Sequence, residues 1–113
     1  MTATAPRVPP GVRPAGARVW RAIVADYELD PHELSLLTQV VRTIDTLEDL
    51  AALVDKQGPL IEGRANPALV EARMQRIVLS RLLATLRVPL GDETDGRPQR
   101  RGAARGAYGL RSA

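Results

Sequence analysis

Side chains that could carry out catalysis are few in this chain of 113 residues. The single histidine, His32, precedes Ser35 by three positions, but no acid at a fixed position orients the two for nucleophilic attack. His32 also has no second histidine and no cysteine with which to hold zinc or iron. Adjacent carboxylates such as Glu48 and Asp49 are more typical of a solvated helix face than of a general acid and base. We therefore expect no enzyme activity, no metal site and no cofactor.

Arginine is the residue type that this sequence offers for binding. Of 16 basic residues, Lys56 alone is a lysine. Residues 1–18 and 97–113 contain arginines and no acid, whereas residues 19–90 contain eight basic and ten acidic residues. Basic ends on a near-neutral middle predict arms that bind a polyanion, and a solubilising tail is the alternative.

The elements that must position these groups are predicted to be three helices, at about 17–27, 31–56 and 67–87. In the first, Trp20, Ile23, Val24 and Tyr27 follow the i, i+3, i+4, i+7 rule and share one face. Together the three predict an all-α fold, in which a short N-terminal helix precedes a long antiparallel helical hairpin.

Helix punctuation supports these boundaries. Asp30 before Pro31, with Glu33 in the first turn, is typical of a helix start. Asn66 before a proline predicts a second start by the same logic, and Gly58 followed by proline predicts the end of the second helix. The intervening "PLIEGRA" predicts a short turn or a small hairpin, with Gly63 available for a left-handed conformation.

The third helix is apolar nearly all round, which is typical of a helix buried on more than one side. The chain has no Phe and one Trp, so its own core is thin for its size. We therefore expect subunits to pack on each other through this helix. The predicted interface residues are Leu69, Met74, Ile77, Val78, Leu82 and Leu86.

An arginine stripe that includes Arg73 and Arg76 interrupts this apolar surface. In an antiparallel hairpin these two would lie near Glu48 and Asp49, so salt bridges within the hairpin are one interpretation and a polyanion-facing stripe is the other.

The remaining segments are predicted to be unfolded. Residues 1–16 form a disordered basic arm and residues 90–113 a disordered Arg-rich tail, because they cannot bury enough apolar surface to fold. Residues 17–89 form the helical oligomerisation domain. No segment is long and apolar enough for a transmembrane helix, and the N-terminus lacks the apolar region of a secretory signal, so we expect an intracellular protein.

The order of these features resembles the small terminase subunit family of tailed bacteriophages and prophages. The resemblance covers about residues 18–89. It rests on "VWRAIVADYELDPHELSLLTQVVRTIDTLEDL" and "GPLIEGRANPALVEARMQRIVLSRLLATLRVP". Many relatives have a longer Gly-rich hairpin where this chain has "GPLIEGRA".

The resemblance implies a non-catalytic protein that assembles as a homo-oligomeric ring in the cytoplasm of a bacterial host. It would recognise viral double-stranded DNA and deliver it to the large terminase subunit, which holds the packaging ATPase and nuclease. The arms would then bind DNA phosphates. The predicted DNA-binding residues are Arg7, Arg13, Arg18, Arg21, Arg97, Arg100, Arg101 and Arg105. The C-terminal tail could instead bind the large subunit.

Two alternatives come from other classes of protein. A short link between the first two helices could suggest a helix-turn-helix regulator, although the second helix is long for a recognition helix. A structural or adaptor protein that assembles without binding DNA is the other alternative.

Overall fold

The computed structural model describes residues 4–87 and the backbone of residues 99–100. In this part of the chain there are three α-helices and four strands of two residues each. The elements are α1 (Pro14–Asp26), β1 (Tyr27–Glu28), α2 (Pro31–Gln57), β2 (Leu60–Ile61), β3 (Arg64–Ala65), α3 (Pro67–Leu86) and β4 (Gln99–Arg100). The prediction of a mainly helical fold is confirmed, and two short antiparallel strand pairs are added to it.

Helix α1 begins at Pro14, earlier than the predicted start at residue 17. Proline is well suited to the first turn, because its φ angle is fixed near the helical value and its missing N–H would have no helical partner there. Trp20 and Val24 lie on the buried face of α1, as the i, i+4 spacing predicts. The helix ends at Asp26, and the chain then turns into β1.

Residues 4–13, here called the N-terminal strap, run along the helices instead of lying apart from them. The indole Nε1 of Trp20 donates a hydrogen bond to the carbonyl of Pro6 at 3.0 Å. The predicted disordered arm at 1–16 therefore differs from the structure over residues 4–16, because apolar side chains and the Trp20 hydrogen bond hold the strap in place. The strap residues that pack against the core are Val8 and Val12.

Helix α2 is 27 residues long and begins as its sequence predicts. Asp30 and Glu33 form a capping box, in which the Asp30 N–H donates to Glu33 Oε1 at 2.7 Å. This bond provides a partner for a backbone donor that the helix itself cannot satisfy. At the other end Gly58, with φ of 88°, takes the chain out of the helix.

A two-residue turn connects β2 and β3. Glu62 and Gly63 have φ of 51° and 77°, so both central residues are left-handed, as in a type I′ hairpin turn. Leu60 pairs with Ala65 in the short ladder. Of the two predicted possibilities for this segment, the structure has the small hairpin.

Asn66 joins the end of α2 to the start of α3. Its Oδ1 accepts a hydrogen bond from the Ala68 N–H at 2.9 Å, which confirms it as the N-cap of α3. Its Nδ2 donates to the Gly58 carbonyl at 2.9 Å and to Gln57 Oε1 at 3.2 Å. Asn66 is 1% exposed, and these bonds satisfy both ends of its amide.

The hydrophobic core lies where α1, the first half of α2 and the last turns of α3 meet. Helix α2 contacts α1 on one side and α3 on another. The buried members of the cluster are Trp20, Val24, Leu37, Val40, Val41 and Leu86. Farther toward the hairpin turn, α2 and α3 pack through smaller residues of α3, among them Ala68 and Ala72.

The backbone of β4 pairs with β1, directly after α1. Tyr27 is opposite Arg100 and Glu28 is opposite Gln99 in this antiparallel pair. The predicted disordered tail at 90–113 therefore includes one backbone segment that adds to the fold. The rest of that tail lies outside the described residues.

Candidate nucleic-acid interface and assembly surface

A carboxylate from α2 caps the start of α1. Asp45 accepts a hydrogen bond from the Gly16 N–H on Oδ1 at 2.8 Å and one from the Arg13 N–H on Oδ2 at 2.6 Å. Both donors lie at a helix N-terminus, where backbone N–H groups lack helical partners and the helix dipole favours negative charge. Asp45 is 4% exposed, so these bonds compensate for the loss of its hydration.

Gly16 is the residue that lets α1 approach α2 this closely. A Cβ atom added at Gly16 would lie 2.5 Å from the Val41 carbonyl oxygen and 2.9 Å from Asp45 Oδ2. No side chain fits there without a shift of the two helices, because one of the two atoms belongs to the backbone of α2.

The guanidinium group of Arg13 already forms hydrogen bonds with two residues of α2. Its Nη2 donates to Asp49 Oδ2 at 2.6 Å and to the Asp45 carbonyl at 3.2 Å. Arg13 was predicted to bind DNA, but a phosphate would have to compete with these bonds. Its clearest role in the structure is to hold the junction of the strap and α1 against α2.

Three other predicted DNA-binding arginines are exposed and accessible. Arg18 and Arg21 are exposed three residues apart on α1, and Arg7 is exposed in the strap, next to the Pro6 that bonds to Trp20. Of the four in the C-terminal tail, the structure describes the backbone of Arg100 in β4. The others, Arg97, Arg101 and Arg105, lie outside the described residues.

A shallow depression lies between the first turn of α1 and the middle of α2. Its lining mixes basic and acidic side chains. Because Arg13 bonds to both Asp45 and Asp49 there, the depression is better explained as the edge of a helix junction than as an anion-binding site. The other residues that line it are Pro14, Ala15, Arg18 and Glu48.

The predicted interface residues of α3 divide into two groups. Met74, Ile77 and Val78 are exposed, at 56%, 46% and 43%. Leu86, by contrast, is 2% exposed within the core, and Leu82 packs against the same core. Leu69 is half-buried. The interface prediction for Leu86 therefore needs correction, because this side chain is buried in the core of its own chain. Leu82 is partly buried, and its place at an interface stays a prediction.

The two arginines of the α3 stripe do not form the expected bridges. Arg73 and Arg76 are exposed, and neither has an ion pair within residues 4–87. Asp49, one of their predicted partners, binds Arg13 instead. The interpretation as salt bridges within the hairpin is thus not supported by the described side chains.

The described residues contain no cluster of His, Cys, Asp or Glu able to hold a metal ion. No helix in this part of the chain is long and apolar enough to cross a membrane.

Sequence reasoning missed the contact between Gly16 and Asp45. Two signals were available: Pro14 at a favourable first-turn position shortly before a glycine, and Asp45 on the same α2 face as Val41. An acid on an otherwise apolar helix face indicates a buried partner.

Comparison with protein-family models, with curated proteins and with solved structures gave no match for this chain.

Proposed function

We propose that this chain acts as the small subunit of a phage terminase, a non-catalytic protein that assembles with copies of itself and binds double-stranded DNA for a large packaging subunit. The proposal combines the resemblance of residues 18–89 with the surface of the folded chain. In it, α3 mediates assembly. The exposed arginines of α1 and the strap bind DNA, together with the arginines of the C-terminal tail.

The observation that carries the proposal is a row of exposed apolar side chains on α3. Val70, Met74, Ile77 and Val78 are between 43% and 56% exposed. Their spacing of 4, 3 and 1 residues places them on one face, while Ala72 and Leu86 lie on the opposite, buried face. Monomeric proteins rarely expose a contiguous row of this kind, and such rows typically mark interfaces.

The length of α2 argues against the regulator alternative. The helix spans 27 residues, and both α1 and α3 pack along it. The recognition helix of a helix-turn-helix protein is typically much shorter and lies in the major groove of DNA.

The first test is the mass of the purified protein in solution by light scattering on a sizing column. We expect one closed assembly larger than a dimer. The double substitution Met74→Ser with Ile77→Ser should reduce its mass, whereas Leu60→Ser should not, although Leu60 is the more exposed residue at 62%. A monomeric wild-type protein would contradict the proposal.

The second test is binding to double-stranded DNA over a range of salt concentrations. We expect affinity to fall steeply with salt, since phosphate contacts release counterions. An assembly that fails to retain DNA at low salt would instead be the adaptor alternative.

A further inference from the structure

The second half of α2 presents a face that no described part of the chain covers. Glu48, Ala51, Ala52 and Asp55 are exposed, and their spacing of 3, 1 and 3 residues places them on one side of the helix. This side continues the one that α1 covers up to Asp45. These four residues are here called the α2 acidic face.

Helix α3 has a matching surface on its side away from the core. Arg73 lies three residues after Val70, and Arg81 lies three residues after Val78, so both arginines belong to the exposed apolar row. Arg73, Arg81 and the residues Val70, Met74, Ile77 and Val78 are here called the α3 outer face.

The two faces have the same layout with opposite charge. On α3 the arginines are about 12 Å apart along the helix axis, and on α2 the acids are about 10.5 Å apart, at 1.5 Å per residue. Large apolar side chains lie between the arginines, and the small side chains of Ala51 and Ala52 lie between the acids. Large side chains on one helix pack well into a surface of small ones on another.

The charged side chains of the two faces form no ion pair within residues 4–87. These side chains are those of Arg73, Arg81, Glu48 and Asp55. Two α3 outer faces placed against each other would bring arginine near arginine, which is unfavourable. An α3 outer face placed on an α2 acidic face brings each arginine near an acid.

We propose that the α3 outer face of one copy packs on the α2 acidic face of the next copy. The inference rests on the self-assembly in the proposed function and adds which surfaces meet. Because the two surfaces differ, the contact is head-to-tail, and an open assembly keeps one free surface at each end until it closes into a ring.

The test uses two charge-reversed forms of the full chain. The acidic form carries Arg73→Glu and Arg81→Glu, and the basic form carries Glu48→Arg and Asp55→Arg. All four positions are exposed, so both forms should fold, with the wild-type helical circular dichroism as the check. We expect each form alone to need at least about tenfold more protein for half-assembly, because like charges then face each other. We expect an equimolar mixture of the two forms to recover assembly, since each junction in an alternating assembly has opposite charges.

A matched control separates this contact from general charge effects. Arg42→Glu with Arg64→Glu reverses two exposed arginines that lie outside both faces, changes the net charge by the same amount as the acidic form does, and should leave assembly unchanged. Loss of assembly in the acidic form alone, with a normal basic form, would overturn the head-to-tail contact. Failure of the mixture to assemble would overturn it as well. A monomeric wild-type protein would instead show that the proposed function itself is wrong.

Discussion

Asp45, in the middle of α2, accepts a hydrogen bond on Oδ1 from the Gly16 N–H in the first turn of α1, at 2.8 Å. The two residues are 29 positions apart, so a tertiary contact does here what a local capping side chain does at other helix starts. Arg13, the N-cap residue itself, makes no side-chain cap bond. The start of α1 therefore depends on the Asp45 carboxylate for its hydrogen bonds, and on the absence of a side chain at Gly16 for its close approach to α2.

Removing the Asp45 carboxylate should destabilise the fold. We expect Asp45→Ala to lower the free energy of unfolding by about 2 kcal/mol, because two N–H groups at the start of α1 lose a charged acceptor. Urea denaturation monitored by circular dichroism measures this. Asp49→Ala is the matched control. The Asp49 side chain is 62% exposed, so its ion pair with Arg13 should contribute less than about 1 kcal/mol. Equal losses in the two variants would refute the assignment.

Gly16→Ala should destabilise the protein by about 1–3 kcal/mol, because the new methyl group would overlap the backbone of α2. Helix propensity alone predicts a gain of about 1 kcal/mol for the same change, so the sign of the effect decides between the two. Ala22→Gly, at an exposed position of α1, provides the propensity scale. A Gly16→Ala protein more stable than wild type would rule out the close approach of the helices.

Asn66→Ala should cost about 2 kcal/mol, since it removes the cap of α3 and leaves the part-buried Gly58 carbonyl without its Nδ2 donor. Gln57→Ala tests the weaker of the amide contacts, at 3.2 Å, and should change the unfolding free energy by less than half as much. Thermal and urea unfolding of the two variants give the comparison. If Asn66→Ala were as mild as Gln57→Ala, the α2–α3 junction would not depend on this side chain.

The exposed arginines of α1 should contribute to DNA binding without contributing to the fold. We expect Arg18→Gln with Arg21→Gln to weaken binding and to reduce the slope of log affinity against log salt by about 1 to 2, since each lost phosphate contact accounts for about 0.9. Fluorescence anisotropy with a labelled duplex over a salt series measures both quantities. Arg13→Gln should instead lower stability, because its guanidinium bonds to α2. An unchanged slope in the double variant would exclude α1 from the DNA contact.

Local signals in the sequence predicted the helix boundaries well. Asp30 with Pro31, and Asn66 before α3, are caps whose chemistry depends on neighbours a few positions away, and both starts are confirmed. The start of α1 was missed because its cap, Asp45, comes from another helix. The strap was missed for a similar reason, since it is held by Trp20 and by core contacts that depend on the tertiary fold.

The candidate surfaces could be predicted in part. The pattern of α3 indicated more than one buried side, and Met74, Ile77 and Val78 do lie exposed opposite the core. The pattern could not tell which leucines the chain covers by itself, so Leu86 was placed at the subunit interface although it belongs to the core. Which leucines of α3 are buried within the chain depends on how α1 and α2 pack in the tertiary fold, and the spacing of residues within α3 does not predict that packing.

The hydrogen bond between Trp20 and Pro6 allows the position of the strap to be followed by tryptophan fluorescence. Trp20 is the sole tryptophan of the chain, it is 3% exposed, and its indole N–H bonds to the strap. The tryptophan fluorescence, excited at wavelengths that tyrosine does not absorb, therefore comes from one place, the junction of the strap with α1. Any ligand that pulls the strap away, through the neighbouring Arg7 for example, would admit water to the indole and shift its emission to longer wavelength. Strap release can thus be followed in the unlabelled wild-type protein.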